Sequence, residues 1–117
     1  MGNRDAIHDP KLGSLLRSAR LGGQSSAKHA MKLIRCGGHR EMIEGCDVHF
    51  TGAMLAGQFA HDRLRASDRS TVDVAAIRNA LDELWKVRHY FDLNTATGYA
   101  LGLGHADRMD AALAARS

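Results

Sequence analysis

The chain has 117 residues, 44% hydrophobic and 25% charged, with a formal net charge of +3. These are ordinary globular values, and the length suits one domain with a modest core. No apolar run approaches the roughly 20 residues that a membrane-spanning helix needs, so no membrane partner is expected.

Aromatic residues make up only 5% of the chain, and Pro10 is the single proline. The core must therefore be built mainly of Ala, Leu, Met, Ile and Val, with no proline to interrupt helices after residue 10. No alternating strand pattern is legible. The expectation is an all-α, compact four- to five-helix bundle in a single domain, residues 11–117, behind a flexible N-terminus, residues 1–10. That N-terminus is polar and lacks the apolar core of a secretory signal. The basic stretch after it resembles an organellar transit peptide, but it comes after Asp5 and Asp9 and grades directly into helices. With two cysteines and no signal, a reducing, cytoplasmic location is expected.

Charge is distributed unevenly. Residues 11–40 contain Lys11, Arg17, Arg20, Lys28, Lys32, Arg35 and Arg40 and no Asp or Glu, whereas residues 41–117 carry an excess of acid. The basic third also contains a short repeat, in which LLRSARLGGQ (15–24) is echoed by AMKLIRCGGH (30–39). The two parts read as a basic helix–Gly-Gly–helix unit, 11–40, and an acidic-to-neutral helical core, 41–117.

The first predicted helix covers residues 11–21, with Leu12, Leu15, Leu16 and Ala19 on one face and Gly22-Gly23 as its stop. The second begins after Ser25 as N-cap and runs to residue 35. Ala27, Ala30, Met31 and Ile34 form its apolar stripe, and Lys28, Lys32 and Arg35 form an adjacent basic one. A third helix is predicted over 47–66, with Val48, Thr51, Leu55 and Phe59 on one side and Phe50, Met54 and Leu64 widening it. Gly52, Ala56 and Ala60 recur every four residues and should let a neighbour approach closely; soluble packing explains this better than a membrane dimer motif. A fourth helix is predicted from the capping-box-like Ser70-Thr71-Val72-Asp73 to about residue 93. Val74, Ile77, Leu81, Leu84, Trp85 and Phe91 repeat at helical spacing and point inward on this reading, with Asp82 and Lys86 paired across one turn. Gly98, Gly102 and Gly104 weaken helix formation over 94–105, so the last helix is expected at 106–116, using Met109 and Leu113.

Four chemistries can be read from these elements. Two helices joined by glycines, the second bearing a basic stripe, meet the demands of nucleic-acid contact through Lys11, Arg17, Arg20, Lys28, Lys32, Arg35 and Arg40. Against this, the second helix begins without the Asn, Gln and Arg set that reads bases, and the spacing fits a helix-turn-helix only loosely; another acidic surface is the other partner such a face suits. The competing explanation is a solvated basic face with ordinary capping glycines. Gly22-Gly23-Gln24-Ser25-Ser26-Ala27-Lys28 lacks the Gly-Lys-Ser/Thr ending of a P-loop and has no preceding strand.

Cys36, His39, Cys46 and His49 place a histidine three residues after each cysteine, a candidate Cys2His2 zinc set that would make the protein a zinc-stabilised helical adaptor. Its linker is shorter than standard zinc spacings, and seven histidines favour accidental matches, so no cofactor is the default expectation. An enzyme is disfavoured. Cys46 with His39 or His49 lacks a legible orienting residue, His61-Asp62 and His105–Asp107 are dispersed, and no catalytic fingerprint occurs. Finally, Trp85, Tyr90, Phe91 and Tyr99 could anchor a protein partner or a homodimer, although most of them are expected in the core. The sequence thus points to a small non-enzymatic binding or regulatory protein.

Overall fold

A computed structural model describes residues 26–37, 48–67 and 72–116. Helix α1 spans Ala27–Gly37, α2 Val48–Ala66, α3 Val74–Asp82 and α4 Leu93–Ala115, with a 3-10 helix at Trp85–Tyr90 between α3 and α4. Among the described residues there is no strand, and the molecule is all-α as the sequence led us to expect. The helix predicted at 11–21 lies outside the described residues.

Helix α2 organises the rest. Every residue from Thr51 to His61 is buried, and α1, α3, the 3-10 helix and α4 all pack against it. The single apolar face expected of this helix from its sequence is thus too narrow: a helix apolar on all sides belongs in the interior. Leu55, Phe59, Ala53, Ala56 and Ala60 fill the centre and Leu64 extends it, joined by Ile34 from α1, Ile77 and Leu81 from α3, and Ala96 and Ala100 from α4. Two buried polar side chains of α2 have partners, because Gln58 Nε2 donates to Asp62 Oδ1 at 2.8 Å and His61 reaches across to α4.

Glycine sets the closest approaches to α2. A β-carbon at Gly52 would collide with the Tyr90 backbone carbonyl, and one at Gly57 would lie 2.8 Å from the Ala96 carbonyl oxygen. The small-residue spacing read from the sequence therefore does mark close packing at Gly52, where the neighbour is the 3-10 helix.

The fourth predicted helix is not continuous. It begins at Val74, which is 43% exposed in the first turn rather than inward, with Asp73 rather than Ser70 as N-cap, the Asp73 carboxylate accepting from Ala75 N at 2.9 Å and Ala76 N at 3.3 Å. It ends at Asp82 and tightens into the 3-10 helix, inside which Val87 departs from helical geometry (φ −116°, ψ 17°). Phe91 is fully extended (φ −148°, ψ 152°). The apolar spacing conceals this break, since Leu84 and Val87 are three apart, a separation that keeps both inward in an α-helix and a 3-10 helix alike. Among the described residues the expected Asp82–Lys86 ion pair is absent, because α-helical geometry is lost between them.

The chain restarts as helix at Asp92, whose Oδ2 accepts from Thr95 N at 2.9 Å and from Thr95 Oγ1 at 2.8 Å. From there α4 runs unbroken through Gly98, Gly102 and Gly104, so the expected weak stretch is helical. Ala96, Thr97, Ala100 and Gly104 face the core, while Met109 (67% exposed) and Leu113 (59%) lie on the outer side of the last turns. No helix among the described residues is long and apolar enough to cross a membrane.

Candidate functional site

The N-cap of α1 is Ser26, one residue later than expected: His29 N donates to Ser26 Oγ at 3.4 Å and Ala30 N to the Ser26 carbonyl at 2.9 Å. From this start Ala30 and Ile34 turn inward, at 4% and 0% exposure, and Ala27, Met31 and Leu33 pack against the core's edge. Helical spacing then forces Lys28, Lys32 and Arg35 onto the opposite side, where all three are exposed. With Ser26 and His29 they line a shallow open depression of about 440 Å³.

The cations of α1 differ from those of α2. Arg63 Nη1 lies 3.1 Å from Glu83 Oε1, with its guanidinium 5.0 Å from the centroid of the Phe59 ring, and Arg65 Nε lies 3.4 Å from Asp107 Oδ2. Among the described residues no carboxylate is within ion-pair distance of Lys28, Lys32 or Arg35. Among the described residues the α1 cations thus face solvent with no carboxylate partner, while Arg63 and Arg65 of α2 pair with carboxylates beyond their own helix.

Of the other basic positions read from the sequence, Lys11, Arg17, Arg20 and Arg40 lie outside the described residues. So do His39 and Cys46. Cys36 falls in the last turn of α1 and His49 in the first turn of α2, so the zinc set has only these two helix-borne members within the described residues. Among the described residues no group of three or more His, Cys, Asp or Glu is gathered closely enough to hold a metal.

The fold brings together one pair that is dispersed in the sequence. His61 Nε2 on α2 lies 3.1 Å from Asp107 Oδ2 on α4, with the imidazole only 2% exposed. Arg65 contacts the same carboxylate oxygen. Asp107 thus fastens α4 to α2, a bridge between helices that local sequence order does not reveal.

A second basic surface is hidden from sequence reasoning, because a continuous helix over these residues would turn its aromatic ring inward. In the 3-10 helix Val87 is buried, while Trp85, Lys86, Arg88 and His89 are exposed. Trp85, expected in the core, is 62% exposed. Arg88 lies over its indole, with Cζ 3.2 Å from the ring centroid, and Arg88 Nη1 donates to the Trp85 carbonyl at 2.9 Å. His89 and Tyr90 are adjacent rings with centroids 4.4 Å apart. The one local signal is the alternation of basic and aromatic residues in Trp-Lys-Val-Arg-His-Tyr.

No family model matches this sequence, and no curated protein or solved structure shows significant similarity to it.

Proposed function

We propose that this is a non-enzymatic binding protein whose partner is polyanionic, nucleic acid being the best fit, contacted through the outer face of α1. The observation supporting this reading is the row of Lys28, Lys32 and Arg35, exposed around one depression with no ion-pair partner among the described residues. Such cations engage phosphates by releasing counterions, so binding weakens steeply with salt. Replacing all three with Ala should lower the log–log salt slope by about two to three and leave folding nearly unchanged, because exposed charges contribute little to stability. Failure of the wild-type chain to bind DNA, RNA or heparin at low salt would refute the proposal.

A second reading, a protein module that acts as a homodimer, is favoured by the exposure of Met109 and Leu113 on the outer side of α4. Sedimentation equilibrium distinguishes the two. The dimer reading expects a concentration-dependent mass that Leu113→Glu reduces to the monomer, and a monomeric wild type at high concentration removes it.

A further inference from the structure

Resting on that polyanion reading, we infer that the 3-10 helix Trp85–Tyr90 is a stacking platform for an unpaired nucleobase, which makes the partner a single-stranded nucleic acid.

Trp85 is the starting point. Phe59 and Phe91 are buried at 1% and 7% exposure, as the hydrophobic effect requires of large aromatic rings, yet Trp85 is 62% exposed. One of its faces is nevertheless engaged. The Arg88 guanidinium covers the indole at 3.2 Å and also donates to the Trp85 carbonyl, joining the side chain and backbone of one residue to the head group of another. A ring held in this way loses little freedom on binding, which is what an aromatic contact needs to be productive. The extent of its exposure, despite that cover, leaves indole surface on which a flat ligand can stack.

The surroundings select the ligand. Lys86, Arg88 and His89 are exposed on the same 3-10 helix, and among the described residues none of them is held in an ion pair. Of the two acids just before Trp85, Glu83 is engaged by Arg63 at 3.1 Å, while Asp82 stays exposed. A purely apolar partner would have to strip water from these cations for no return. A base joined to phosphates supplies a π-face to the indole and negative charge to its neighbours. The 3-10 helix also packs against α1, and buried Val87 shares the core with Ile34. The segment therefore packs on the core-facing side of α1, whose outer side bears Lys28, Lys32 and Arg35.

Duplex DNA fits this arrangement poorly, since its bases already stack on each other and an indole on a protein surface reaches none of their faces without unstacking them. Single strands offer such faces, and stacking on aromatic side chains supplies much of their affinity with little sequence preference. The missing base-reading set on α1 accords with a ligand held by phosphate and π-face.

Trp85 is the only tryptophan in the chain, so its emission reports directly on the proposed contact. The full chain is titrated at low salt with a short oligothymidylate, an abasic phosphodiester strand of equal length and a duplex of equal length. We expect oligothymidylate to quench the emission and to bind more tightly than the other two. Trp85→Ala should lose about tenfold to a hundredfold in affinity for oligothymidylate and keep its affinity for the abasic strand. Trp85→Phe should retain part of the difference, and circular dichroism should show both variants folded, since the side chain is exposed. Equal binding of oligothymidylate and abasic strand without quenching would overturn the platform and leave the basic-face reading standing. Tighter binding of duplex would do the same. Emission that changes with protein concentration alone, together with a self-association that Trp85→Ala abolishes, would identify the indole as a contact between copies and overturn the platform. Absence of binding to all three strands would overturn both readings.

Discussion

Gly52 and Gly57 of α2 sit where a methyl group would press into neighbouring backbone, whereas a β-carbon built at Gly98 or Gly102 of α4 meets no atom within 4 Å. The same residue type thus serves two different roles in two helices. In α2 it sets the distance to the elements around it, because neighbours approach this helix from all sides. In α4, which is buried along only one side, Gly98 and Gly102 face outward, and their cost to the helix, about 0.5–1 kcal/mol each, is offset by no packing within the described residues. A glycine in a helix therefore has no fixed meaning until its surroundings are known.

The sharpest way to break this comparison is Gly52→Ala. Better helix propensity would contribute about 1 kcal/mol, but the new methyl group faces the Tyr90 carbonyl, a backbone atom that cannot rotate away. A net loss of about 3 kcal/mol is expected, at the upper end for overpacking, read as a lower urea midpoint. Gly57→Ala should lose less, since its closest backbone atom, the Ala96 carbonyl oxygen at 2.8 Å, overlaps far less than the Tyr90 carbonyl does at Gly52, and the Tyr99 ring atom at 2.9 Å can shift. A neutral Gly52→Ala would mean that the 3-10 helix is not seated on α2 as described.

Gly102→Ala should show the smallest effect and the opposite sign, a gain of about 0.5–1 kcal/mol in urea unfolding. This variant also sharpens the question of self-association. A loss of stability that grows with protein concentration would place the outer side of α4 against a second copy, where the added methyl group obstructs contact.

A related contrast separates the cations. Arg63 and Arg65 meet carboxylates of other elements, while Lys28, Lys32 and Arg35 meet none among the described residues. Local sequence favours this division in part. The run without acid around α1 leaves its cations no acidic residue within a helical turn of sequence, and the spacing of 28, 32 and 35 sets them on one side of any helix formed there. The partners Glu83 and Asp107, by contrast, are far from Arg63 and Arg65 in sequence, and only helix packing brings them within reach.

The breaks are harder to read than the helices. The boundaries of α1 and α2 lie close to those expected because the helical spacing of apolar residues, the glycines after α1 and the polar run after α2 are local signals. The transition at residues 82–92 is invisible to apolar spacing because Leu84 and Val87 keep the core register through it. The Asp92 cap is legible in Asp-Leu-Asn-Thr, but an unbroken apolar register argues against a stop there. Treating 84–91 as α-helix also places Trp85 inside and hides the basic surface around it.

The sequence by itself determined an all-α chain, the positions of α1 and α2, and the outward row of Lys28, Lys32 and Arg35, since each follows from spacing and chain geometry over a few turns. Tertiary structure alone decided that α2 is enclosed, that His61 meets Asp107, and that Trp85 faces solvent beneath Arg88. Those outcomes depend on which surfaces of distant segments are covered. Burial is shared between elements, and no single helix carries the information that fixes it.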